Sequence, residues 1–170
     1  KHRKRRRVLV AAGGPRQRNH CLLQLHRLQA GGTWPAAASL RAVGERIGPG
    51  ALVLMLGDCF DEACVVLAEQ LSAARREMLT VQILTSEERD FPFRGGYRFT
   101  DPESGEELLS DGASAREGFL ERFAAARRAL ATRLAGQGIR HVEYFMDQPL
   151  DAPLQRLFGR VSGNAGPERS

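Results

Sequence analysis

Asp58 closes the apolar run Ala51-Leu52-Val53-Leu54-Met55-Leu56-Gly57, and a helical pattern follows it. Such a run reads as a buried parallel strand, and open α/β sheets place their ligands at the carboxyl ends of such strands. A carboxylate there offers oxygen to a divalent cation, directly or through water. The alternative for Asp58 is to cap the helix behind it. Thr33 follows Gly31-Gly32 at the start of another helical pattern, where its hydroxyl serves as an N-cap or as a cation ligand. His20, His26 and His141 stand at no triad spacing from a serine, cysteine or carboxylate, and read as surface or helix-face residues. Cys21, Cys59 and Cys64 are odd in number and make no matched pair of CxxC motifs. Buried free thiols in a reducing compartment fit them better than a zinc site or a disulfide framework. Gly13-Gly14 and Gly31-Gly32 lack the lysine of a phosphate loop and read as turns.

The elements that must position these residues alternate between strand and helix. Val8 to Ala12 reads as a short strand, broken by Gly13-Gly14-Pro15. From Asn19, Leu22, Leu23, Leu25 and Leu28 recur at helical spacing up to Gly31-Gly32. A second helix, capped by Thr33 with Pro35 in its first turn, runs through Leu40 and Val43 to Ile47. Beyond the Asp58 strand, Asp61-Glu62 opens a helix carrying Val65, Val66, Leu67 and Leu71 and ending near Arg75-Arg76, with acids first and bases last as the helix dipole favours. Leu79 to Leu84 is the next strand, completing a βαβ crossover that predicts a parallel sheet. Residues 86–112 form a polar insert with a hairpin, its arms at Tyr97 to Thr100 and Glu107 to Leu109 and its turn at Asp101 to Gly105. Phe91-Pro92-Phe93 in this insert is expected to pack it onto the sheet. A helix from Ser114 to Ala135, a strand from Val142 to Phe145 and a helix from Ala152 to Phe158 follow. Residues 159–170, rich in glycine, serine and charge, are expected to be disordered.

Length and charge narrow the classes. A chain of 170 residues holds one domain with a core, and at 42% hydrophobic, mostly Ala and Leu, that core is lean. No apolar stretch is long enough for a membrane span and none resembles a signal peptide, so a cytoplasmic location is expected. The formal charge of +5 sits in residues 1–7; without their six basic side chains, 19 Lys+Arg face 20 Asp+Glu. A basic end attracts nucleic acid or anionic lipid, but no aromatic platform accompanies it, so a nucleic-acid partner is the weaker expectation.

An ordered set of motifs carries a resemblance. Gly32-Thr33, Leu54-Met55-Leu56-Gly57-Asp58 with Asp61-Glu62, Glu88-Arg89-Asp90-Phe91-Pro92-Phe93, Phe99-Thr100-Asp101 with Ser104-Gly105-Glu106, and Asp147-Gln148-Pro149-Leu150-Asp151 are similar to a von Willebrand factor A-like bacterial family of unknown function, domain of unknown function fifty-eight. The match spans Leu52 to Phe158 and is thin before Gly31. The resemblance implies a Rossmann-like α/β fold of von Willebrand A type, a parallel sheet flanked by helices. It also implies association with a MoxR-type AAA ATPase in protein assembly or maturation. Thr33 and Asp58 would map onto the last two ligands of a metal-ion-dependent adhesion site.

The Asp-x-Ser-x-Ser loop that completes such a site does not occur here. The expected domain, residues 8–158, is therefore incomplete at its N-terminus, a fragment or degenerate copy. Magnesium or another divalent cation would keep most of its water and bind weakly. The Asp58 strand would have an exposed apolar edge, open to self-association. The expected function is non-enzymatic: an interaction adaptor for the ATPase and a client protein. The alternatives are a hydrolase-like or nucleotide-handling α/β enzyme using Asp58, which requires a second convergent acid, base or phosphate cradle, and nucleic-acid binding through the basic N-terminus.

Overall fold

The computed structural model describes residues 14–29, 35, 37–100 and 107–159. The expected strand at Val8 to Ala12, Thr33, the turn Asp101 to Gly105, the basic residues 1–7 and residues 160–170 lie outside them. The chain divides into two units, Lys1–Ile47 and Gly48–Ser170.

The first unit carries helix α1 (Pro15–His26) and helix α2 (Ala37–Gly44). Helix α1 starts four residues earlier than the leucine spacing indicates. Pro15 is no breaker at the first helical position, where its missing N–H would be unpaired anyway, and Gly14 takes the N-cap with a φ of 114°. Helix α2 stops at Gly44, before the expected Ile47.

In the second unit, β1 (Leu52–Gly57), α3 (Glu62–Ala73) and β2 (Glu77–Leu84) form the expected crossover, and β5 (Arg140–Phe145) lies parallel on the other side of β2. Between them come α4 (Ser86–Asp90), the antiparallel hairpin of β3 (Gly96–Thr100) and β4 (Glu107–Asp111), and the long α5 (Gly112–Gly136); α6 (Ala152–Phe158) ends the described chain. The three-stranded sheet has the order β1-β2-β5. This is a mixed α/β architecture, with a parallel sheet flanked by helices.

Helices cover the sheet unequally. On one face Val53 and Met55 of β1 and Met78 of β2 pack with Val65, Ala68 and Leu71 of α3 and Leu134 of α5. Leu84 and Phe145 pack on the same side with Phe123 and Phe119 of α5. Arg133 joins the two covering helices, reaching Glu62 at 2.8 Å and Glu69 at 2.6 Å. On the opposite face Leu157 of α6 covers Leu79, Val81 and Tyr144, at β2 and β5 only. The cross-strand register puts Leu52, Leu54 and Leu56 in line with Glu77, Leu79 and Val81 on this second face. There the three leucines remain 53%, 42% and 61% exposed.

Phe91-Pro92-Phe93 packs the insert onto α5, where the sequence suggested the sheet. Phe91 is buried, with its ring 4.7 Å from that of Phe119 and 5.1 Å from that of Phe93. Gly112 permits this approach, because a Cβ at that position would stand 2.8 Å from the carbonyl oxygen of Phe93. One element was not expected: α4 begins with a reciprocal cap in which Thr85 Oγ1 accepts from Glu88 N and Glu88 Oε2 accepts from Thr85 N. The Thr-x-x-Glu spacing is its sequence signal.

Candidate functional site at the carboxyl end of the sheet

The strand ends gather Asp58 after β1, Thr85 and Glu88 after β2, and Asp147 after β5. Most of this polarity is spent on structure. Glu88 completes the α4 cap. Asp147 accepts from Arg89 at 2.9 Å, and Arg89 also holds Asp90 at 2.8 Å while lying 5.1 Å from the Phe145 ring centre.

Asp58 is exposed and has no ion pair among the described residues. Its Oδ1 accepts from the Phe60 N–H at 3.2 Å, closing a local turn. Helix α3 is capped instead by Asp61, whose Oδ1 accepts from Ala63 N at 2.8 Å. The two aspartates should therefore separate on mutation. Asp61→Ala is expected to cost about 1 kcal/mol in urea unfolding, the usual worth of an N-cap, and Asp58→Ala less than about 0.5 kcal/mol, as for an ordinary surface change.

Behind Asp58 the interior turns polar. Gln82, 1% exposed in the middle strand, donates from Nε2 to the Asp58 carbonyl at 2.8 Å, while its Oε1 is buried without a hydrogen-bond partner among the described residues. Beside it Cys59, with a left-handed φ of 59°, donates its thiol to the Gly57 carbonyl at 3.7 Å, and Cys64 donates its own to Met55 Sδ at 3.1 Å. The neighbouring Cys64 side chain and burial push the Cys59 thiol far above its ordinary range, whereas Cys59 holds that of Cys64 below its ordinary range against the opposing effect of burial. All three cysteines are free; Cys59 and Cys64 are buried as expected, but Cys21 is only half-buried.

The third histidine differs from its expected surface place. His141 lies on β5, which begins two residues before the predicted strand, and it is half-buried against α5. Its Nδ1 is 2.9 Å from Thr80 Oγ1, and its Nε2 is buried without a partner among the described residues. Burial lowers its pKa below the ordinary 6.5. With Ala124, Arg127, Arg128, Ala131 and Glu143 it lines a groove of about 400 Å³.

The geometry places Asp58 at the expected strand end, with no second ligand beside it among the described residues. Among the described residues no three His, Cys, Asp or Glu side chains are grouped to hold a metal ion. Thr33 lies outside those residues. By itself Asp58 offers one carboxylate of the six or more oxygens that a hard cation takes, so with the described residues alone water would supply nearly all the ligands.

Fold and strand ends together define an α/β domain built on a parallel sheet, with Asp58 exposed at its carboxyl edge. The chain matches the family described as "Protein of unknown function DUF58" over residues 11–129, and belongs to it. The match ends within α5, so β5 and α6 lie beyond it. No curated protein and no solved structure matches the chain. No described helix is long and apolar enough to cross a membrane.

Proposed function

We propose that this chain is a non-enzymatic interaction module of von Willebrand A type, acting with a MoxR-type AAA ATPase in the assembly or maturation of a client protein. The observation that carries this reading is the outer edge of β1. That strand stands last in the sheet order and pairs only with β2 among the described residues, so one row of its backbone donors and acceptors is unpaired within the sheet. Leu52, Leu54 and Leu56 lie exposed on its second face. An extended segment of a partner that adds beside β1 would satisfy the backbone row and cover the leucines together. Each leucine side chain taken fully from water contributes about 1.5–3 kcal/mol before the costs of association. Natural sheets normally blunt such an edge with charge or cover it. Binding is the whole of this activity, and no step passes through a cation.

Leu54→Lys tests the reading. A charge in the centre of the strip is expected to weaken binding to a purified MoxR-type ATPase at least about tenfold, equivalent to about 1.4 kcal/mol. Stability should change by less than about 0.5 kcal/mol, because Leu54 is already exposed. Unchanged affinity with intact folding would sink the proposal.

A further inference from the structure

We propose that the outer edge of β1 pairs with the same edge of a second copy of this chain, giving an antiparallel two-fold dimer whose sheet runs β5-β2-β1-β1-β2-β5. The surface is the one assigned above to a partner segment, but the self-pairing rests on the open edge and not on the ATPase. Backbone direction sets the register. Ala51 accepts from Glu77 N at 2.9 Å across the β1–β2 pair, so Val53 and Met55 also turn their N–H and C=O groups toward β2. Leu52, Leu54 and Leu56 turn theirs outward. A two-fold axis at Leu54 sets it against Leu54 of the partner subunit, and sets Leu52 against Leu56 of the partner subunit. Outward residues then stand opposite outward residues, which closes a ladder of about six hydrogen bonds. The same three leucines are exposed on the second face, so each backbone pair also makes a leucine–leucine contact across the seam.

Charge and shape favour a second copy as the occupant. Leu52-Val53-Leu54-Met55-Leu56-Gly57 carries no charge and no proline, so nothing in the strand repels its own copy. Gly50 N donates to the Arg75 carbonyl at 2.8 Å, which places Arg75 at the amino end of β1, while Asp58 follows its carboxyl end. In the antiparallel register Asp58 stands opposite Gly50 of the partner subunit, about 10 Å, or two strand spacings, from Arg75 of the partner subunit. Asp58 and Arg75 are both exposed and have no ion pair among the described residues, so opposite charges attract at both ends of the seam. On the covered face α3 lies over β1 and β2, and two copies of it stand about 10 Å apart, an ordinary helix–helix distance. The far edge of the sheet is blunted. Met146 N donates to the Leu84 carbonyl, so Glu143 of β5 faces outward, and its carbonyl already accepts from Arg156 Nη1 at 2.7 Å. The assembly therefore closes as a dimer instead of growing into a fibre.

The test begins with sedimentation velocity of the unmutated full chain, with no ATPase present. A monomer–dimer equilibrium is expected, with a dissociation constant of about 1–100 μM, as suits a small interface. Amide exchange followed by NMR locates the seam without any variant. Between about 5 and about 500 μM chain, exchange at Leu52, Leu54 and Leu56 should slow severalfold, while Val53 and Met55, already bonded to β2, should not change. Leu54→Lys and Leu54→Glu should each weaken the dimer at least about tenfold, because like charges then face each other on the axis. An equal mixture of the two variants should recover it, since the facing charges become opposite. A chain monomeric at about 500 μM, growth beyond a dimer, unchanged exchange at the three leucines, or a mixture as monomeric as either variant alone would overturn the proposal. Because the ATPase is absent throughout, such a failure is distinct from a failure of ATPase binding.

Discussion

Leu84→Ala is expected to destabilise the sheet unit by about 2–5 kcal/mol, toward the upper end of that range. Leu84 is the last residue of β2, and no part of it is exposed. It packs with Phe123, Phe145 and Phe119, and beside it on β5 stands Phe145. The surrounding rings are locked to one another: Phe119 stacks on Phe123 at 5.6 Å, Phe91 lies 4.7 Å from Phe119 and Phe60 lies 6.3 Å from Phe123. Rigid rings cannot fold into the space that a leucine leaves, so the cavity stays open and its full cost is felt. In urea unfolding followed by circular dichroism, the midpoint should fall with the slope unchanged. A loss below about 1 kcal/mol would mean that the insert, α5 and the sheet do not share this core.

Arg127→Met is expected to cost about 1–3 kcal/mol and to change the acid limb of the stability profile. Arg127 reaches Glu143 with two parallel hydrogen bonds, Nε to Oε1 at 2.8 Å and Nη2 to Oε2. The guanidinium carbon is also 5.4 Å from the Phe123 ring centre and 5.1 Å from that of Phe145. Both charged side chains are about a quarter exposed, so the loss is smaller than for a fully buried pair but larger than for a surface one. Methionine keeps the apolar stem and removes the charge.

The hydrogen bonds from Arg127 hold the Glu143 carboxyl below its ordinary 4.5. Its stabilising contribution is thus complete above about pH 4.5 and disappears as the pH falls through the lower folded value. His141 acts in a higher window. As the pH drops past 6.5 the unfolded chain takes up a proton that the folded chain refuses, because Nε2 would become a buried donor with no acceptor among the described residues. Stability should therefore decline in two stages on acidification. Glu143→Gln should remove the lower stage and His141→Asn the upper, and a profile unchanged in both variants would contradict these assignments.

The crossover from β1 through α3 to β2 was legible because each part obeys a local rule: a continuous apolar run, an acidic cap followed by helical spacing, and a second apolar run. The fate of Phe91 was legible too, since bulky rings in a long polar insert are worth more buried than wet. Thr85-x-x-Glu88 is the local signal of α4, masked by the polar hairpin insert that follows it. The first two residues of β2 were hidden by chemistry at a distance. Glu77 has the charge of a loop residue, yet it pairs across the sheet with Arg140 at 2.6 Å, more than sixty positions away.

Local pattern by itself determined the element types, the parallel crossover and the strand-end position of Asp58, because each depends on residues within a few turns of chain. The tertiary structure decided which strand is the edge, which face α6 leaves bare at Leu52, Leu54 and Leu56, and how Thr80 and Gln82 lie buried in a strand with polar spacing. It also set Cys64 against Met55 and left Asp58 without a second ligand among the described residues. These outcomes depend on packing between elements far apart in sequence, and the same apolar run folds equally well at the centre of a sheet or at its rim.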